Sequence, residues 1–249
     1  MLVHLVIIGV AGFSGGFIGS QVGAGSVATL PALLLVGLPL PLAVGTNALS
    51  GWLTNVAAAT KYWRAGKVHL GFVLPLSVVA AAGAYAGAQL LFLVQVALLA
   101  KIFAALLCGL GIAIVLQPPN RVSVEVHRLA GWRLWLGLLL AFGLGLYGGI
   151  ISVGLTTFAI LAFTLFLKQS HLEAVANAIL LSVVLLGAST LYFVLRHKIY
   201  YPYAIPLAAT SVIGAYCGAH VALGTRGRYF KWLLVVILAL VIAKLLTIN

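Results

Sequence analysis

Gly83-Ala84-Tyr85-Ala86-Gly87-Ala88 and Gly214-Ala215-Tyr216-Cys217-Gly218-Ala219 differ at one position and lie 131 residues apart in a chain of 249, close to half its length. The same shift, without a gap, sets Gly23 on Gly154, Ala43-Val44 on Ala174-Val175, Lys67 on Lys198 and Pro75-Leu76 on Pro206-Leu207. A single register kept that long reads as two copies of one unit. Internal duplication in a very apolar chain is the signature of secondary transporters, whose substrate site lies near the bilayer midplane between the repeats.

Composition sets the class. Hydrophobic residues make up 64% of the chain and charged ones 6%, with a mean hydropathy of +1.23, against roughly 45–50% apolar and 25% charged in soluble domains. The expectation is an all-α polytopic membrane protein of one domain, with apolar stretches of about 20 residues recurring throughout. The opening MLVHLVIIGVAGFSGGFIG has no basic flank and no Ala-x-Ala site, so it reads as a first membrane segment and not as a cleaved signal peptide. The net charge of +12 comes from cations concentrated in short connections. That pattern fits the positive-inside rule and contact with anionic lipid headgroups better than nucleic acid. Both carboxylates, Glu125 and Glu173, fall in or beside connections, so no intramembrane acid is offered to a coupling cation. Cys108 and Cys217 have no metal-ligand spacing.

The segments read as 2–20, 24–38, 42–62, 69–90 and 95–117, a polar link at 118–131, then 132–150, 154–167, 173–195, 200–221 and 229–248. Repeat 1 is thus 1–117 and repeat 2 is 132–249, two pseudo-symmetric repeats of about five helical segments each. Residues 2–38 as one helix would run about 55 Å, nearly twice the apolar core of a bilayer. Gln21-Val22-Gly23-Ala24-Gly25-Ser26 interrupts that run, and Ser152-Val153-Gly154-Leu155-Thr156-Thr157 stands in the same register of the second half. The first two segments of each repeat are therefore expected to be broken or re-entrant at glycine-rich turns, and both turns to face inward, because irregular backbone at membrane depth must be buried or line a cavity. Five segments per half give inverted repeats; counting each broken pair as one span gives eight segments and parallel repeats. The length argument favours ten.

The candidate substrate-binding residues are Ser20, Gln21, Gly23, Gly25, Ser26, Thr46 and Asn47 in half one, with Ser152, Gly154, Thr156, Thr157 and Asn177 in half two. Thr29, Ser50, Thr54, Asn55, Ser182 and Ser189 are their small polar neighbours. No cation lies among them. A helix that starts inside the membrane offers unpaired N–H groups and the positive end of its dipole, an anion site without a charged side chain, and glycine admits close approach to the backbone. Gln21 is costly in hydrocarbon unless partnered. The two hexapeptides, with small residues four apart, read as helix packing. Trp52, Tyr62, Trp63, Trp132, Trp135, Tyr200, Tyr201 and Trp232 read as interfacial belts. No H-E-x-x-H, Walker loop or G-x-S-x-G elbow occurs, so neither catalytic residues nor a metal or other cofactor is expected.

GFIGSQVGAGSVATLPALLLVGLPLPLAVGTN (Gly16–Asn47) and GAYAGA, with YGGIISVGLTTF (Tyr147–Phe158) and AVANA (Ala174–Ala178) in the second half, resemble the repeat of the TauE/SafE-type sulfite exporters. That repeat opens with a glycine cluster and continues through an apolar run with a proline to an A-V-G-T-S-like segment start. Half two departs from it, with Gly154 the only glycine of its cluster and Ala174-Val175-Ala176-Asn177 in place of the Gly-Thr pair. The resemblance implies a multi-pass transporter in a bacterial inner membrane that moves a small anion, sulfite or an organosulfonate, usually outward. A homodimer is compatible with it. The alternatives are a cation or metal permease and a non-transporting scaffold subunit.

Overall fold

The structure, a computed structural model, describes residues 2–91, 132–150, 152–166 and 169–224. The expected segments 95–117 and 229–248, the polar link, Glu125, Cys108 and Trp232 lie outside the described residues. Their regular secondary structure is all helical: α1 (Leu2–Val22), α2 (Ser26–Leu35), α3 (Leu40–Arg64), α4 (Leu70–Leu90), α5 (Trp132–Ile150), α6 (Leu155–Phe166), α7 (His171–Leu195) and α8 (Tyr201–Gly224). Among the described residues, four stretches are long and apolar enough to cross a membrane: α1, Val73–Leu90 of α4, α7 and α8. At 1.5 Å per residue α2 and α6, of 10 and 12 residues, reach only about 15 and 18 Å, half a hydrocarbon core. The 25 residues of α3 are long enough to span, but Thr46, Asn47, Ser50 and Thr54 make a buried polar stripe along it.

Local signals set the helix ends. Past α2, Gly37 takes φ +87 and the N–H groups of Gly37 and Leu38 return to the carbonyls of Leu34 and Leu33, at 3.0 and 3.2 Å. This is the Schellman pattern, which uses carbonyls the helix cannot satisfy. Gly66 and Lys67 close α3 in the same way, and His197 and Lys198 close α7, with His197 held at φ 52 where half one has glycine. Ser170 caps α7: its hydroxyl receives the Glu173 N–H while the Glu173 carboxylate receives the Ser170 N–H at 3.2 Å. The one carboxylate among the described residues is therefore spent on a helix start.

The halves interlock. α1 packs chiefly on α8, α5 on α4, and α3 lies against both α7 and α8, so each half's opening helix sits on the other half's last described one. Glycines set these contacts. A methyl group added to Gly83 or Gly87 would collide with the carbonyls of Phe142 or Leu146, and one on Gly214 or Gly218 with those of Phe13 or Phe17. The hexapeptides are thus packing surfaces where small residues bring backbones together, while Tyr85 and Tyr216 point outward and are exposed.

Of the aromatic residues expected at the membrane interface, Tyr62 belongs instead to the interior and Trp52 is half-buried against the core. Tyr62 is fully buried and donates to the Ser20 carbonyl at 2.8 Å, because a phenol at this depth needs an acceptor and the end of α1 supplies one. Trp52 packs its indole nitrogen over Gly187, whose missing side chain makes the room. Trp63, Trp135, Tyr200 and Tyr201 are exposed.

Candidate functional site

Two turns bring the halves face to face. α1 stops where Gly23 takes φ +77, its N–H still bonded to the Gly19 carbonyl at 2.8 Å. A left-handed residue cannot continue a right-handed helix, and only glycine adopts that conformation without a Cβ penalty. In the first turn of α2, the N–H groups of Val27, Ala28 and Thr29 bond back to Ala24 and Gly25 carbonyls at 3.1–3.3 Å. The N–H groups of Gly25 and Ser26 are left without a backbone partner among the described residues, as expected of a helix start. The second turn carries two positive φ angles, Ser152 at 60° and Gly154 at 73°, and Tyr147 pins it by donating to the Val153 carbonyl at 2.5 Å. The turns touch: the Thr157 hydroxyl donates to the Val22 carbonyl at 2.8 Å, and a methyl group on Gly23 would run into the backbone of Thr156 and Thr157.

Beside this contact lies a cavity of about 40 Å³. By a measure in which one water needs roughly 10–15 Å³, it admits about three waters or one small ion. Gly15, Gly16 and Gly19 give α1 a bare backbone wall, Gly23, Gly25, Ser26 and Thr29 follow along the turn and α2, and Ser50, Gly51, Thr54 and Asn55 form the α3 side. Ser152, Thr156, Leu186 and Ser211 close it from half two. No lining residue carries a charged or titratable side chain, so hydroxyls, one amide and helix-start N–H groups are what a ligand would meet. Among the described residues no group of three His, Cys, Asp or Glu could hold a metal.

Of the candidate residues, Gly23, Gly25, Ser26, Ser152 and Thr156 line this cavity. The rest lie off its wall. Gln21 is buried and donates to the Phe17 carbonyl of its own helix at 3.0 Å; Ser20 donates to the same carbonyl at 3.1 Å. Thr157 ties the turns together, and Gly154 shapes the second one. Asn47, 2% exposed, accepts from the Thr29 hydroxyl at 2.5 Å while its Nδ2 has no partner among the described residues. Thr46 and Asn177, themselves 131 apart, make matching contacts between the halves: Thr46 Oγ1 accepts the Tyr200 N–H before α8 at 3.0 Å, and Asn177 Oδ1 accepts the His69 N–H before α4 at 2.9 Å. Asn177 also donates to Gln169 Oε1 at 3.0 Å.

Ser211, absent from the sequence-based candidates, lines the cavity from α8 and accepts from Ser50 at 3.3 Å. Its counterpart by the repeat is Ala80, so symmetry offered no hint. The signal lay in α1, where Gly12 and Gly16 leave room for the Ser211 side chain and backbone.

The profile of the sulfite exporter TauE/SafE family matches residues 8–245. The chain is 30% identical over 234 residues to "Probable membrane transporter protein ORF9" of Sinorhizobium sp, covering 94% of this chain and 88% of that protein. It is 28% identical over 235 residues to a "Probable membrane transporter protein" of Haemophilus influenzae, covering 94% and 91%, and 26% identical over 231 residues to "Probable membrane transporter protein YfcA" of Escherichia coli, covering 93% and 85%. No solved structure matches the chain. With nearly its whole length in that profile and its relatives named as transporters, the chain belongs to the TauE/SafE family of membrane transporters and is not an enzyme.

Proposed function

We propose that this protein exports a small anion, sulfite or an organosulfonate, across a bacterial inner membrane. The observation that carries the reading is the uncharged cavity where the two turns meet, lined by glycine backbone, hydroxyls and the start of α2. Such a lining stabilises an anion through dipoles and N–H groups, and it offers no carboxylate to a metal cation. The anion would rest against the Gly25 and Ser26 N–H groups, with Ser152, Thr156 and Ser211 adding hydroxyls. Gln21, Asn47 and Thr157 would hold the turns behind it. The halves would act as inverted repeats that rock about this site. Support comes from α3 and α7, whose bounds are 131 apart at both ends, and from the Thr46 and Asn177 bonds, which repeat at the same spacing.

Charge gives a driving force. With the cell interior negative, each negative charge leaving gains about 2.3 kcal/mol per 100 mV, so export needs no coupled ion. Flux of labelled sulfite in proteoliposomes at clamped potential tests this. Efflux from the negative side is expected to rise with potential, and flux that ignores potential while following a proton gradient would contradict uncoupled export.

A further inference from the structure

The hydroxyls of the cavity are not interchangeable. Thr29 has one proton, and its oxygen lies 2.5 Å from Asn47 Oδ1 and 3.4 Å from the Gly25 carbonyl. Turning the Asn47 amide over would still leave the Gly25 carbonyl to take that proton. Thr54 donates to the Ser50 carbonyl at 2.7 Å, and Ser50 donates to Ser211 Oγ at 3.3 Å. A hydroxyl whose proton is committed can offer only lone pairs to anything else. The cavity therefore has two unlike sides: the Gly25 and Ser26 N–H groups and Ser211 can donate, while Thr29, Ser50 and Thr54 present acceptors beside Asn55, which spends one amide proton on the Gly51 carbonyl at 2.9 Å and keeps the other.

A fully ionised oxyanion suits only the donor side, because its oxygens would meet lone pairs along Thr29, Ser50 and Thr54. An anion that keeps one O–H can donate to that side and accept from the other. Resting on the anion-transport reading above, we propose that the site selects a singly protonated oxyanion, such as hydrogensulfite, and rejects dianions of similar size such as sulfate. A site built to receive a substrate O–H discriminates strongly against an analogue that lacks it, since its buried polar groups are then left unpaired.

The test measures labelled sulfite and sulfate fluxes in proteoliposomes of the full chain, at equal concentration, with pH stepped across the second ionisation of sulfite. Because no cavity-lining residue titrates, sulfite flux should follow the protonated fraction and fall as pH rises. Sulfate should be carried at least roughly tenfold more slowly, the equivalent of one hydrogen bond. Thr29→Val, which removes one acceptor and nearly preserves shape, should narrow that preference. Sulfate carried as fast as sulfite would overturn the inference, as would sulfite flux that rises with pH or that saturably requires sodium, which would put a metal ion on the same oxygens. Absence of flux for both anions would instead sink the anion-transport reading itself.

Discussion

The turn at Gly23–Gly25 and the turn at Ser152–Gly154 do one geometric task with different chemistry. The first reverses the backbone with glycine alone, bares N–H groups at Gly25 and Ser26, and lets the other half press against it. The second puts a serine at positive φ, then supplies Thr156, which shares a 2.8 Å bond with Ser182, and Thr157, which bonds Val22. At their contact the first turn brings bare backbone and the second brings hydroxyls, while the hydroxyls of the cavity come from both halves. The centre where the two turns meet is therefore asymmetric.

The comparison breaks most sharply at Gly23. Gly23 and Gly37 share a positive φ, but an added methyl group would strike Thr156 and Thr157 at the first and nothing at the second. Gly37→Ala is expected to cost about 1 kcal/mol, the conformational term alone. Gly23→Ala adds a backbone collision that parts the two turns, so it should cost at least about 3 kcal/mol and abolish transport. Thermal unfolding in detergent checks the difference; equal losses would mean that the turns are not pressed together.

A smaller effect sharpens the relation between the halves. Thr46→Val frees one partly buried N–H, that of Tyr200, at an expected cost of about 1 kcal/mol. Asn177→Leu strands both the His69 N–H and Gln169 Oε1, so it should cost about twice as much. Equal shifts in unfolding midpoint would indicate that the Gln169 bond contributes nothing.

Much of this was legible in the sequence. Apolar run length pointed to an all-helical chain, and the regular structure of the described residues is helical; α1 ends at Val22 and α2 begins at Ser26, inside the stretch Gln21–Ser26 that interrupts the overlong run 2–38. Facing was harder to read. In a chain apolar on every side, periodicity does not say which stripe meets lipid and which meets the other half, so the glycine wall of α1, Ser211 and the buried Tyr62 were invisible as such. The desolvation argument for Gln21 required only that it find a partner. It finds one in Phe17, one turn back on its own helix. The ungapped register also sets Gly23 on Gly154, whereas α2 and α6 start 129 residues apart and Gly23 shares its positive φ with Ser152 as well. A two-residue slip in a loop is silent in a pattern carried by helices.

Whether an anion rests between the turns can be read by protection from labelling. With Cys108 and Cys217 replaced by Ala, single cysteines at Ser26 and Ser211, which line the cavity, and at Ala65, exposed beyond α3, would be reacted with a small charged thiol reagent. Sulfite is predicted to slow the reaction at Ser26→Cys and Ser211→Cys and to leave Ala65→Cys unchanged. Equal rates with and without sulfite at both cavity positions, in protein that still carries sulfite, would place the anion elsewhere and contradict the account.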